Sequence, residues 1–145
     1  MKYLSAVLII MLTICLKTNS QEFYMCEYVD DNWNPVGASG SMSGSNGVNF
    51  LVKLPEKVYD QLYMWVIYRT DDTGKDTEFA GEYVMRIEEG YEIVHNGARF
   101  FCTTEKIYLN PGNYRVYFIY ENDKEPNFKY GNLSKYLAKG EISIK

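Results

Sequence analysis

The stretch "LNPGNYRV", Leu109 to Val116, is the part of the sequence that decides the fold. "NPG" (Asn110–Gly112) is a turn signal, because proline and glycine favour the backbone angles that tight turns require. The chain that follows, Tyr114 to Tyr120, is dense in aromatic and β-branched residues, which pack well on a pleated sheet. The stretch therefore predicts a turn that leads directly into a β-strand.

The same pattern of short strands and turns continues in both directions from this point. Leu62 to Arg69 is apolar on both faces, as in a central strand, whereas Thr77 to Ile87 alternates apolar and polar residues, with the "DDTGKD" turn between them. The predicted strands are Phe23–Val29, Val48–Leu54, Leu62–Arg69, Thr77–Ile87, Tyr91–Val94, Ala98–Leu109, Tyr114–Tyr120 and Glu141–Ile144. "PEKVYDQLY" is interpreted as a loop in preference to a helical turn. The sequence predicts an all-β fold, a single antiparallel sandwich of about seven or eight strands.

One short helix is predicted near the C-terminus. "NLSKYLAKG" offers Asn132 as an N-cap and Gly140 just past the helix end.

"LNPGNYRV" also resembles the entry to strand F of immunoglobulin-like and fibronectin-type-III-like domains, where a glycine two residues before a tyrosine builds a tyrosine corner. The resemblance covers Gln61 to Glu121 and implies that Tyr114 is the corner tyrosine and that Trp65 lies in the core. Val116 stands where antibody-type domains have their second cysteine. The resemblance concerns the fold and not the function, because unrelated functions share this fold.

The first twenty residues are predicted to be a signal peptide. Lys2 precedes an apolar run, Leu4 to Leu16, and small residues end the segment at Ser20. The run is too short for a membrane span, which needs about 20 residues. A lipoprotein signal at Cys15 is disfavoured by the bulky Ile14 before it. The sequence thus predicts a secreted or periplasmic protein with one domain, residues 21–145.

Charge and cysteine content limit the classes of partner and of site. The chain has a net charge of −4, and it becomes more acidic without Lys2 and Lys17, which disfavours nucleic acids and anionic membranes as partners. Cys26 and Cys102 remain outside the signal segment, and a lone pair in an oxidising compartment predicts one disulfide. With one histidine they cannot complete a structural zinc site.

No catalytic constellation stands out in the sequence. His95 lies in an "HNG" turn, no serine has a nucleophile-elbow pattern, and "GSMSGSNG" lacks the lysine of a phosphate loop. The chain is therefore predicted not to be an enzyme, although an unrecognised hydrolase stays open because only a structure can pair its carboxylates.

Strand parity predicts a binding surface. If consecutive strands run antiparallel, the segments "DDNWNPVGASGSMSGSNG", "TDDTGKD", "HNG" and 121–140 share one end, and "LNPG" lies at the other. The candidate binding residues at the shared end are Asp31, Trp33, Asp71, Asp72, His95 and Tyr130. Trp33 with polar neighbours could bind a sugar, and converging acidic loops could bind calcium, although no EF-hand spacing is present and acidic turn residues are common. No other cofactor or metal is predicted.

A second candidate surface follows from the register that places Trp65 in the core. The outward residues would form an apolar strip, Met64, Val66, Tyr68, Tyr117 and Ile119. This strip is either a partner surface or is covered by residues 122–139.

Three functions are compatible with these patterns. The leading hypothesis is a non-catalytic module that binds a protein or a glycan through the loops at one end. The second is an inhibitor or immunity-type protein that plugs an enzyme cleft with Ser39–Gly47, and the third is the hydrolase. In a eukaryotic host, "NLS" at Asn132 would accept a glycan.

Overall fold

The computed structural model describes residues 21–55, 62–85, 92–95, 98–123 and 133–145. The proposed leader, Tyr130 and Asn132 lie outside these ranges. The strands are β1 Glu22–Cys26, β2 Tyr28–Val29, β3 Pro35–Val36, β4 Ser41–Met42, β5 Asn49–Pro55, β6 Tyr63–Thr70, β7 Asp76–Met85, β8 Glu92–His95, β9 Ala98–Cys102, β10 Gly112–Tyr120 and β11 Ala138–Ile144. Short 3₁₀ helices occupy Gly44–Asn46 and Glu121–Asp123.

The strands form two main sheets and one small hairpin. The first sheet has the order β1-β5-β9-β8, the second has the order β4-β11-β10-β6-β7, and β2 pairs with β3. All pairings are antiparallel except the parallel pairing of β4 with the end of β11. The all-β prediction is confirmed, and most predicted strands match observed strands to within a few residues. Of the predicted strand Ala98–Leu109 only Ala98–Cys102 is a strand, and β3 and β4 were not predicted.

The two sheets share one hydrophobic core. Phe50 and Val52 of β5 meet Trp65 and Ile67 of β6 in it, with Phe118 of β10. The ring centroids of Trp65 and Phe118 are 4.5 Å apart, and the indole is fully buried. Trp65 therefore lies in the core, as expected, and such aromatic pairs add to the free energy gained from area burial alone.

Tyr114 fixes the entry to β10. Its hydroxyl donates a 2.7 Å hydrogen bond to the carbonyl of Asn110, four residues earlier, and its ring is buried in the core. This bond spans the turn from Asn110 to Tyr114. It holds the "NPG" turn against the strand that the turn begins.

The first and last described strands meet at Gly140. A Cβ built on Gly140 would lie 1.9 Å from Cδ1 of Phe23, so the Phe23 ring occupies the space of the missing side chain. Any other residue at position 140 would push β11 and β1 apart. Gly140 therefore serves as a contact point between the two sheets, and it does not end a helix.

The predicted C-terminal helix is absent from the described part of the segment. Ala138–Ile144 is strand β11, which pairs with β10 from Gly112–Ile144 to Phe118–Ala138, and Leu133–Leu137 is not helical. The ladder along β10 supplies the backbone with partners that a short isolated helix could not match, because such helices are marginal in water.

The apolar strip on the outer face of the second sheet is buried. Its members Met64, Val66, Tyr68, Tyr117 and Ile119 form a second hydrophobic cluster. Leu133, from the segment that follows β10, packs into this cluster, and Phe79 packs against it. The prediction of an exposed partner surface is therefore wrong, and the alternative of a covered strip is correct.

The predicted disulfide is not formed, and Cys26 and Cys102 are free thiols. They lie on β1 and β9, which flank β5 on opposite sides. Two strand spacings separate their Cα atoms by about 10 Å, whereas a disulfide needs a separation below about 7 Å. Burial raises the pKa of the Cys26 thiol to about 11, and its Sγ lies 3.7 Å from the carbonyl oxygen of Asn49.

Candidate functional site

The connections collect at two ends of the molecule. β1 ends beside the start of β5, and β11 ends beside the start of β10. The amide of Ser39 donates to Met25 and the amide of Ser143 donates to Gly40, which places the ends of β1 and β11 side by side. We call this the loop end. It comprises residues 27–48, 71–75 and 103–111.

Strand parity fails between β7 and β8. These strands lie in different sheets and run in the same direction, although the prediction had assumed strict alternation. As a result the backbone of His95 lies beside Ala98, which pairs with Pro55 at the opposite end. "LNPG" lies at the loop end, contrary to the prediction.

The candidate binding residues that were predicted to share one end of the molecule are thus divided between its two ends. Trp33, Asp31, Asp71 and Asp72 belong to the loop end, whereas His95 belongs to the opposite end with Glu121–Asp123. The amide of Glu121 donates to the carbonyl of Leu62, just before β6, which fixes that assignment. The structure therefore does not bring His95 and the acidic turns together in one site.

The Gly/Ser segment, residues 37–47, is held against the body of the protein. Met42 pairs with Ile144, the amide of Lys145 donates to Met42, and the amide of Gly44 donates to Lys145. The hydroxyl of Ser39 donates to the carbonyl of Ser41 and accepts a hydrogen bond from the amide of Ser41. Main-chain bonds to both sheets therefore fix the segment.

Two turns at the loop end have the same construction. In Asp30–Asn34 the amide of Asp30 donates to Asn34 O and the amide of Trp33 donates to Asp30 O. In Asp71–Lys75 the amide of Asp71 donates to Lys75 O and the amide of Gly74 donates to Asp71 O. Each begins with an aspartate pair, and the second aspartate, Asp31 or Asp72, is exposed.

The first carboxylate of each turn is used within the turn. Asp30 accepts bonds from the amides of Asn34 and Asn32 and from the side chain of Asn34. Asp71 accepts from the hydroxyl and amide of Thr73 and from the amide of Lys75. The Asn34 amide leads the interactions that lower the pKa of Asp30, and the Thr73 hydroxyl leads those that lower the pKa of Asp71. These carboxylates therefore have structural roles as turn caps.

Trp33 has a left-handed backbone, with φ at 61°. It is the only non-glycine residue with positive φ in the described part of the chain, and such a conformation is rare for a bulky side chain. The side chain is half-buried. Trp33 is thus not the freely exposed platform that the sequence suggested.

Behind the Asp71 turn lies a buried ion pair. Arg115 Nη1 contacts Asp76 Oδ1 at 2.8 Å, and the hydroxyl of Tyr117 donates to Asp76 Oδ2 at 2.9 Å. Arg115 Nη2 also donates to the Gly74 carbonyl at 2.5 Å and contacts Glu141 at 2.9 Å. Burial disfavours the charge of Arg115, but the bond to Glu141 leads the interactions that outweigh burial and raise its pKa. Burial and the bond to Asp76 raise the pKa of Tyr117 to about 12.

In the described part of the chain, three clefts border the Gly/Ser segment. The largest, about 440 Å³, is lined by Glu27, Gly37, Ser39, Ser41, Met42, Ser43, Asn46, Gly47 and Lys106. A second of about 390 Å³ runs from Gly40 to Asp71 and Asp72, and a third of about 260 Å³ lies between β1 and β11. We call the largest of these the serine cleft.

Two exposed tyrosines at the loop end were missed by the sequence analysis. Tyr108 is 66% exposed and Tyr28 is 51% exposed, the highest values among the large hydrophobic residues described. Both fall within segments predicted as strands, where alternation alone does not reveal which aromatic residue faces solvent.

Among the described residues, no group of three or more His, Cys, Asp or Glu side chains converges as a metal site would require. Nor does this part of the chain contain a helix that is long and apolar enough to cross a membrane. Comparisons with protein-family models, with curated proteins and with solved structures found no match to this chain.

Proposed function

We propose that this protein is a non-catalytic binding module that recognises a protein or a glycan through its loop end. The observation that carries the proposal is the Gly/Ser segment, which is tied to both sheets by main-chain bonds and borders all three clefts. A surface that is already ordered before binding loses little conformational entropy on binding. The exposed Tyr28 and Tyr108 at the same end add contact residues of the kind that binding surfaces favour.

The chemistry of the loop end supports binding in preference to catalysis. Asp30 and Asp71 accept several hydrogen bonds within their own turns, and the charge of Asp76 is paired with Arg115. A general acid or base must present a free lone pair or proton to a substrate. These three carboxylates are engaged elsewhere.

The inhibitor alternative receives less support from the same geometry. An inhibitor loop that plugs a cleft must protrude, whereas Ser41 and Met42 form an edge strand against the end of β11. The acidic turns also give calcium little support as a cofactor, because their first carboxylates are occupied by amide and hydroxyl donors.

The proposal includes a cellular location and a finer fold class. The leader pattern of residues 1–20 supports a secreted or periplasmic protein whose domain is residues 21–145. The two sheets with a common core and the Tyr114–Asn110 bond support one immunoglobulin-like sandwich.

The test compares one bulky charged substitution at each end of the molecule. Ser45 at the loop end and Leu62 at the opposite end are both exposed. The purified protein, Ser45→Arg and Leu62→Arg are applied to a glycan array and to immobilised cell-surface proteins, with and without chelator. We expect Ser45→Arg to weaken binding on the order of tenfold, as for loss of a central contact, and Leu62→Arg to bind like wild type. If Leu62→Arg weakened binding and Ser45→Arg did not, the binding surface would lie at the opposite end and the proposal would be wrong.

A further inference from the structure

The ring of Tyr108 is exposed but held in a fixed position. Its neighbour Ile107 is buried and exchanges two main-chain bonds with Val48, at 2.8 and 2.9 Å. On one side the ring lies against Gly47, where an added Cβ would come within 2.9 Å of Cε1 and 3.0 Å of Cζ. Gly47 has φ at 65°, so both its backbone and its missing side chain suit this contact. Tyr108 thus presents a supported aromatic ring to solvent.

The ring adjoins the serine cleft, because Gly47 and Lys106 belong to the cleft lining. Lys106 Nζ donates to the carbonyl of Asn46 at 3.2 Å, which closes this side of the cleft. An isolated exposed aromatic residue needs no special explanation. A supported aromatic ring beside a cleft is a different feature, since stacking surface and polar groups are then available to one ligand.

The lining of the serine cleft is polar. Its polar residues are Ser39, Ser41, Ser43 and Asn46 with the charged Glu27 and Lys106, and Met42 is its one large apolar residue. The hydroxyl oxygen of Ser41 is buried, so Ser39 and Ser43 supply the accessible hydroxyls. Protein hot spots and drug-like ligands favour apolar pockets with few polar groups. A ligand that is itself covered with hydroxyl groups suits this lining better.

The charges of the cleft select against a strongly charged ligand. Glu27 and Lys106 carry opposite charges on the same lining, and the protein as a whole has a net charge of −4. The net charge therefore disfavours an anionic ligand at long range, and the balanced lining gives a cationic ligand no excess of negative charge at the cleft itself.

We propose that the serine cleft binds a neutral oligosaccharide, with one sugar ring stacked on Tyr108 and its hydroxyl groups bonded to the serine, asparagine, glutamate and lysine side chains of the lining. This inference rests on the proposed function and names its ligand class. Tyr108 is the stacking platform, and Gly47 positions its ring.

The experiment titrates the full-length purified protein with neutral oligosaccharides of glucose, xylose, mannose and N-acetylglucosamine by isothermal calorimetry. Tyr108→Ala removes the platform, and Gly47→Ala displaces it while retaining the tyrosine. Tyr83→Ala is the matched control, since Tyr83 is a 41% exposed tyrosine on β7 and does not line the cleft. Thermal unfolding of each variant verifies that it is folded.

We expect at least one oligosaccharide to bind, Tyr108→Ala to weaken it on the order of tenfold or more, and Tyr83→Ala to leave the affinity unchanged. If Gly47→Ala does not fold, Tyr108→Phe replaces it and retains most of the affinity, because the stacking ring is kept. Equal affinity in wild type and folded Tyr108→Ala overturns the platform. If no oligosaccharide binds while the Ser45→Arg experiment still detects a protein ligand, the carbohydrate class is wrong and the binding module stands; if neither assay detects binding, both proposals fail.

Discussion

Trp33 occupies, in the Asp30 turn, the left-handed position that Gly74 occupies in the Asp71 turn. The two φ angles are 61° and 77°, and the main-chain bonds of the two turns correspond one to one. For residues other than glycine this conformation costs about 1–2 kcal/mol. The protein therefore tolerates strain at Trp33 that its second turn avoids.

Substitutions at these two positions should differ in a characteristic way. We expect Trp33→Gly to be more stable than Trp33→Ala by about 1 kcal/mol, because glycine relieves the left-handed strain and alanine does not. Gly74→Ala should lose about 1 kcal/mol, as its added Cβ meets only Arg115 Nη2 at 3.7 Å and the cost lies in the backbone. Urea unfolding measures all three, and a Trp33→Ala protein as stable as Trp33→Gly would contradict the shared turn geometry.

The buried ion pair should dominate the response to charge removal near the Asp71 turn. Asp76 is 5% exposed, so we expect Asp76→Asn to destabilise the protein by about 3 kcal/mol, because Arg115 and Tyr117 lose their charged partner. Glu141→Gln is the control, since its side chain is largely exposed and such pairs contribute less than about 1 kcal/mol. Equal losses in the two variants would argue against burial as the cause.

The free energy of unfolding should fall at alkaline pH. The pKa of Cys26 rises from its ordinary 9.0 to about 11, and that of Tyr117 rises from 10.0 to about 12. For a raised folded pKa the contribution is complete below the unfolded pKa and is lost as the pH rises to the folded pKa. The loss from Cys26 thus spans pH 9 to 11, and that from Tyr117 spans pH 10 to 12.

Urea titrations at intervals from pH 8 to 12 test this dependence. Cys26→Ala should flatten the stability curve between pH 9 and 11, and Tyr117→Phe should flatten it above pH 10. If the free energy of unfolding fell with pH as steeply in both variants as in the wild type, other groups would be responsible for the loss of stability at alkaline pH.

Cys26 and Cys102 should both be alkylated in the unfolded protein without reductant. For the domain of residues 21–145, which lacks Cys15, intact mass spectrometry is then expected to show two added groups per chain. In the folded protein we expect slow reaction, because burial raises the pKa of both thiols and the thiolate is the reactive form. A chain that is lighter by two hydrogens and resists alkylation until it is reduced would show that the disulfide forms. β5 would then have to move from its position between the two cysteines.

Tyr114 should contribute to stability through its hydroxyl as well as through its buried ring. Tyr114→Phe keeps the buried ring and removes the 2.7 Å bond to Asn110, so we expect a loss of about 1 kcal/mol. Tyr120→Phe is a suitable comparison on the same strand. A neutral Tyr114→Phe would mean that the turn is held by its other contacts, such as the 2.7 Å bond from Arg69 to Pro111.

Local patterns were enough to predict most strands. Alternation and turn residues located β5, β6, β7 and β10 within a few residues, because side-chain burial on a sheet has a period of two. The helix prediction at 132–140 failed for the opposite reason. Capping residues are a local signal, and pairing with β10, which is distant in sequence, overrode it.

The candidate site depended on information that local patterns lack. His95 lies at the opposite end from Asp71 because β7 and β8 run in the same direction, so the alternation of strand direction is interrupted where the chain passes from the second sheet to the first. The strip around Val66 is covered because Leu133 packs into it, and no local pattern shows where Leu133 packs. The disulfide is not formed because β5 lies between the strands that carry the two cysteines. Spacing along the sequence carries none of these relations. Trp33 was placed at the correct end but not in its strained, half-buried state.

The contact between Phe23 and Gly140 has a consequence for the order of folding. It joins the first described strand to the last, so this part of the inter-sheet interface forms only when β11 is available. Contacts between residues so far apart in sequence slow folding, because closing the intervening loop costs conformational entropy before the contacts form. We therefore expect the contact between β1 and β11 to form late, after β11 has been synthesised, and the domain to fold in roughly milliseconds to seconds, as proteins dominated by non-local strand pairing do.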